Sequence, residues 1–315
     1  HRPHLVLDGL LLAAQALNAT RTIVYVSDPQ AIESMKGAIS ELATADLNLT
    51  TFIEVFTAPA IYVAGEETAV CRAINGGLVK PTAKPPRPFQ KGVDGAPTLV
   101  SNVETLAHAA WISRHGAEAF REQGTEDSPG TTLLTLTGDC ERPGVYEVPL
   151  GLTVEEVFNT VGGGYINQPK AFLMGGWFGG VLSVQHAQTP CCYTQLRRAG
   201  SGLGCGAITV LNEQRNLMQM AGAIAAWYAS ESAQQCGTCI GGTQAISSTL
   251  VRINRGKATD IDHTYFIRWG ETLPGRGACA FLDGAATLAR SVSQEFESEL
   301  KSCIEMSKSE EISAI

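Results

Sequence analysis

Cys236 and Cys239, three residues apart, give the sharpest chemical signal in the chain. Thiolates at that spacing form one edge of a metal site or pair as a redox dithiol. A [4Fe–4S] cluster takes four thiolates, and Cys279 is a third thiol further along. Three readings stay open: a cluster, zinc with Cys279, and no metal. The usual redox dithiol follows a strand in a βαβ unit, which is missing here. Cys71 and Cys140 read as buried small hydrophobes, whereas Cys205 sits among glycines that let it approach the pair. A second signal is Gly65-Glu66-Glu67. The glycine lets backbone approach a planar ligand, and the carboxylates accept hydrogen bonds from hydroxyls or amides. The same acids also suit the first turn of a helix. Lys84-Pro85-Pro86 adds a cation, and Arg87 a guanidinium plane able to stack on a base. The bland reading is a solvated basic linker. Ser101 and Asn102 are hydrogen-bonding groups and also good helix N-caps. No histidine falls at a recognisable ligand spacing.

These residues need elements to hold them. Residues 5–18 show helical periodicity and 22–27 are β-branched, so a strand. Asp28 and Pro29 suit the N-cap and N1 of a helix over about 30–42. A second strand fits 50–56, which makes an α/β pattern whose first element is a helix. Pro81, Pro85, Pro86, Pro88 and Pro97 make 80–97 an extended connector. A helix follows at 101–123. Strands at 131–137, 145–149 and 170–175 surround a helix opened by the capping box Thr153/Glu156, a small β-grasp-like module. Helices at 213–230, 241–255, 260–272 and 283–301 form a bundle. The Cys pair falls in its first loop, and the tail after Cys303 frays.

Composition bounds the answer. The 315 residues are 44% hydrophobic and 17% charged, a globular balance. A net charge of −8 argues against nucleic acid, which favours a basic stripe. No apolar run approaches the roughly 20 residues of a membrane span. Nine cysteines, an odd number, and no signal peptide point to a reducing compartment.

Several segments taken together resemble a known family. They are Tyr62-Val63-Ala64-Gly65-Glu66-Glu67-Thr68, Lys84-Pro85-Pro86, and Val100-Ser101-Asn102-Val103-Glu104-Thr105. They continue with Pro143-Gly144-Val145-Tyr146-Glu147-Val148-Pro149, the glycines at 175–180 and 200–204, and Glu231-Ser232 before Cys236 and Cys239. In this order, over about residues 4–302, the chain resembles the flavin- and NADH-binding subunit of bacterial respiratory complex I, together with related hydrogenase and formate dehydrogenase subunits. The resemblance implies part of a Rossmann-like α/β FMN domain (1–125), a β-grasp insert of the SLBB type (126–212), a helical iron–sulfur bundle (213–303) and a tail (304–315). It implies electron transfer from NADH through FMN to iron–sulfur centres, with FMN, NAD(H) and [4Fe–4S] as cofactors. Tyr62, Gly65, Glu66, Val100, Ser101, Asn102 and Thr105 would line FMN, while Glu67 and Lys84 would meet NADH. Cys236, Cys239 and Cys279 would be the metal ligands; no residue is assigned as catalytic, because the cofactors carry the chemistry. The expected partners are other subunits of an oxidoreductase, among them a thioredoxin-like iron–sulfur subunit, on the cytoplasmic side and without membrane insertion. The alternative is a non-catalytic structural or assembly subunit derived from this family.

The resemblance also sets expectations where the pattern departs. The family's glycine-rich phosphate loop would precede residue 1. The chain is then a fragment or a shortened relative, with weak flavin binding and little activity alone. In the family's Cys-x-x-Cys-x-x-Cys pattern the first position is Ala233, and the distant fourth falls at Pro274. Cys279, five residues on, would stand about 7.5 Å away at 1.5 Å per residue. An absent or incomplete cluster is expected.

Overall fold

A computed structural model describes residues 2–45 and 52–313. It divides into two compact units, His1–Phe120 and Arg121–Ile315. No described helix is long and apolar enough to cross a membrane.

In the first unit, α1 (Pro3–Leu17) leads into β1 (Thr22–Val26), α2 (Pro29–Thr44) and β2 (Ile53–Thr57). The two strands pair in parallel, Thr22 opposite Ile53 through Val26 opposite Thr57. Parallel neighbours need a crossover, and α2 supplies it. Asp28 starts α2 as expected: its carboxylate accepts from the Ala31 amide at 2.8 Å, and Pro29 follows. The first two residues of the expected second strand, 50 and 51, lie outside the described residues. Leu7, Val24, Ala38 and Ile53 form the small core. After α3 (Glu67–Ile74) the proline-rich stretch runs to α4 (Val103–His115) and α5 (Ala117–Arg121). One helix was expected over 101–123; Gly116, at φ 88°, breaks it. Where α1 crosses α4, a Cβ on Gly9 would stand 1.9 Å from the Leu106 carbonyl oxygen. Only glycine allows that approach.

The second unit holds a five-stranded sheet in the order β4-β3-β7-β5-β6. Its strands are β3 (Thr131–Gly138), β4 (Gly144–Pro149), β5 (Pro169–Met174), β6 (Val181–Ser183) and β7 (Ala207–Asn212). The central strand β7 runs parallel to β3 and antiparallel to β5. Successive residues of β5 point to opposite faces. Phe172 and Met174 join the core under α6 (Val154–Thr160) and α7 (Tyr193–Arg198), while Ala171 and Leu173 join the helical core. The Thr153/Glu156 capping box opens α6 as expected.

The helical part comprises α8 (Leu217–Ser230), α9 (Gly237–Asn254), α10 (Asp260–Thr272), α11 (Phe281–Glu295) and α12 (Glu297–Ser313). Two expectations change. The last helix is two, parted at Phe296, and the tail expected to fray stays helical through Ser313. At the sheet edge, α11 lies on β6. The Val181 amide donates to Ser291 Oγ at 2.9 Å, and the Ser183 amide and hydroxyl donate to Glu295 Oε2 at 3.2 and 2.6 Å.

Candidate functional site

In the first unit a 3-10 turn at Tyr62–Gly65 delivers Glu66 to the start of α3. Glu66 Oε2 accepts from the Thr68 and Ala69 amides at 2.9 and 3.0 Å, and from the Thr68 hydroxyl. The helix-capping reading of these acids is thus met, but it engages only one oxygen of Glu66. Lys84 Nζ stands 2.7 Å from Glu66 Oε1 and 2.6 Å from Glu67 Oε1. Arg87 approaches Glu67 Oε1 at 3.3 Å. The Lys84 and Glu66 side chains are only 22% and 17% exposed. The proline-rich stretch, expected as an extended connector, is held against α3: the Thr82 amide donates to Thr68 Oγ1 at 2.9 Å.

Burial works against ionisation of Glu66, but the Lys84 ammonium, the Thr68 hydroxyl and the Ala69 amide outweigh it and hold the carboxyl below its ordinary value. Burial likewise opposes the Lys84 charge, and Glu66 and Glu67 together hold its pKa above the usual lysine value. The result is a lysine clamped between two carboxylates.

The other expected residues lie on neighbouring elements. A Cβ on Gly65 would meet no atom within 4 Å, so space is open beside that backbone. Tyr62 is 49% exposed. The Thr98 amide donates to the Pro88 carbonyl at 2.9 Å, which ties the approach to Val100–Asn102 to the proline-rich stretch. Asn102 caps α4 through a 2.7 Å bond from the Glu104 amide, with Ser101 before it and Thr105 in the first turn. A cavity of about 470 Å³ opens alongside, lined by Thr68, Arg72, Asn75, Thr82, Pro86 and Lys91 among others. Sequence reading passed over Arg72, Asn75 and Lys91, which share no motif; the only signal for Arg72 and Lys91 is an excess of cations near Lys84, and Asn75 has none.

In the second unit, Cys236 is the last residue of the loop before α9, as expected, at the N-cap position, while Cys239 lies in the helix's first turn. Cys279 stands just ahead of α11. The start of α11 packs on the start of α9: a Cβ on Gly242 would meet Leu282 at 2.9 Å. Cys239 is buried, with Cys236 and Cys279 half-buried against the same core. Burial pushes the Cys239 thiol up; the Ser232 hydroxyl, 3.4 Å away, opposes this, and the neighbouring Cys236 and Cys279 reinforce it. Cys279 is near enough to bear on the Cys239 thiol. Packing of α11 on α9, not distance along the chain from Pro274, sets its place. Cys205 is exposed and lies against Gly176. Among the described residues no three His, Cys, Asp or Glu side chains are gathered for a single ion. A cubane spreads its thiolates wider than one zinc ion does, so the two sites make different demands.

Family models match in the order of these parts. The Nuo51 FMN-binding domain matches residues 1–111, the SLBB domain 133–173, and the NADH-ubiquinone oxidoreductase-F iron–sulfur binding region 219–303. The F subunit of the Mycobacterium tuberculosis NADH-quinone oxidoreductase is 30% identical over 318 residues, covering 96% of this chain and 71% of that protein. The HndC subunit of the NADP-reducing hydrogenase of Solidesulfovibrio fructosivorans is 32% identical over 272 residues, 82% of this chain and 56% of that one. Among solved structures, a chain of an NAD+-reducing [NiFe]-hydrogenase in the H2-reduced state superposes with a TM-score of 0.88 at 28% identity. That match takes in 96% of this chain and 52% of the hydrogenase chain, so this chain spans about half its length. Kinship along nearly all of this chain, with all three domain models in sequence, shows that it belongs to the family of NADH-quinone oxidoreductase F subunits.

Proposed function

We propose that the chain is the flavin- and dinucleotide-binding subunit of a multi-subunit oxidoreductase, taking electrons from NADH. The observation that carries this reading is Lys84, shared between Glu66 and Glu67 beside the open backbone of Gly65. The space at Gly65, which a Cβ would fill, fits a flat ring lying on the backbone. Tyr62, Gly65, Glu66, Val100, Ser101, Asn102 and Thr105 line that ring and its polyol chain. Glu67 and Lys84 hold the dinucleotide, the carboxylate toward ribose hydroxyls and the ammonium toward phosphate. Arg87 orients Glu67 and offers its plane to a base. FMN, when bound, supplies the step from two-electron to one-electron chemistry.

The relatives are named as subunits, and we infer the same for this chain: a peripheral subunit beside a thioredoxin-like iron–sulfur partner on the cytoplasmic side. Equilibrium titration of the whole chain with NADH tests the site. Lys84→Gln is expected to weaken binding about tenfold or more, roughly 1.4 kcal/mol. Equal affinity in the variant overturns the assignment.

A further inference from the structure

The end of α4 remote from Asn102 carries a cavity that the proposed flavin and dinucleotide sites do not use. Gly9 lies on the Leu106 carbonyl where α1 crosses α4, and the start of α1 meets the end of α4. Between them opens a cavity of about 460 Å³, lined by Arg2 and His4 on one side and by Trp111, Arg114 and His115 on the other. Pro3 and Leu5 complete it. Small-molecule sites run from roughly 300 to 1,000 Å³. Among the described residues that line it, four are basic and none is acidic, in a chain of net charge −8. Asp8 pairs with Arg114, and Glu41 with His4 at 2.8 Å, which holds those two bases in place. Arg2 is exposed and makes no ion pair among the described residues. His115 Nδ1 donates to the Trp111 carbonyl at 2.9 Å, and its ring stacks on the indole with centroids 4.3 Å apart. That leaves its Nε2 for another partner.

We propose that this cavity binds an organic phosphate, a phosphomonoester carried on an apolar or flat group. The guanidinium forks of Arg2 and Arg114 match phosphate oxygens. His115 Nε2 accepts the P–OH hydrogen of the monoanion or, when protonated, donates to the dianion. Bases arriving from two helices suit a tetrahedral oxyanion, whereas one guanidinium already satisfies a carboxylate. Pro3, Leu5 and the Trp111 indole take the carbon part. Asn102 opens α4 and Trp111–His115 close it, about 14–20 Å further on at 1.5 Å per residue. The site is therefore separate from the proposed flavin site and does not rest on it.

The test is titration of the whole chain with phenyl phosphate at physiological ionic strength, which screens loose surface attraction. The readout is the indole N–H resonance of Trp111, identified among the four tryptophans by its loss in Trp111→Phe. Wild type is expected to saturate with a Kd of about 1 mM or below, and benzoate to bind at least about tenfold more weakly. Arg2→Gln and Arg114→Gln are each expected to weaken phenyl phosphate about tenfold. Arg114→Gln breaks the pair with Asp8, so circular dichroism checks its fold; Arg2→Gln breaks no such pair and decides the matter if Arg114→Gln unfolds. Three outcomes overturn the proposal. The Trp111 resonance could show no saturable shift. Benzoate could bind as tightly as phenyl phosphate, which would make this a carboxylate site. Binding could fall in Lys84→Gln and stay unchanged in both arginine variants, which would put the probe in the dinucleotide site. In that last case the reading of Lys84 stands while this one fails; NADH affinity unchanged in Lys84→Gln would do the reverse.

Discussion

At the scale of single residues, the Lys84 clamp makes a pH prediction with a definite sign. Glu66 titrates below its ordinary 4.5 in the folded chain. Its ionised form therefore stabilises the fold at any pH above that ordinary value, and the contribution fades as pH falls through the lowered one. Lys84 titrates above its ordinary 10.5, so its share is present below that pH and fades as pH rises through the raised value. Urea unfolding of Glu66→Gln is expected to show a flatter acid limb than wild type, by roughly 1 kcal/mol. Parallel acid limbs would show that the Glu66–Lys84 contact adds nothing to folding. The acids and Lys84 were legible in sequence because their types and order were distinctive. The clamp was not. Nothing in a linear reading says that a lysine eighteen residues after Glu66 returns to the cap of α3 through a Thr82–Thr68 bond.

At the scale of elements, two contacts decide how the parts fit. Gly9→Ala would drive a methyl into the Leu106 carbonyl and force α1 off α4. A loss of about 1–3 kcal/mol in thermal or urea stability is expected, and an unchanged midpoint would mean that the crossing is looser than drawn. In the sheet, Asp139 is buried and accepts from the Asn212 amide at 2.9 Å and from Arg215 at 2.6 Å. Asp139→Ala strands the Asn212 amide and is expected to cost about 1–3 kcal/mol. Arg215→Ala, whose side chain is exposed, should cost clearly less, and equal losses would contradict that ordering. Elements with a strong period or a capping signal were legible, among them α2, α6 and the β1–β2 pair. The sheet's central strand was hidden because Ala207–Asn212 follows a glycine-rich turn and ends in three successive buried residues, which breaks the alternation of its first half. The neighbouring β6 is three residues long, too short to register. The place of Cys279 was not legible for a related reason: counting along the chain ignores helix packing.

At the scale of the whole molecule, two compact units imply separable behaviour. Calorimetry is expected to resolve two transitions, with Gly9→Ala lowering one and Asp139→Ala the other; one shared transition moved equally by both would refute this. Within the second unit, α11 begins two residues after Cys279 and ends at Glu295, where its side chains occupy the outward amides of β6. Those amides would otherwise be a free template for another strand. The helix that follows Cys279 therefore also keeps the sheet from recruiting strands of other molecules. Loosening its last turn, where Ser291 and Glu295 sit, puts colloidal stability at risk. Glu295→Ala, which frees the Ser183 amide, should scatter more light on standing than wild type.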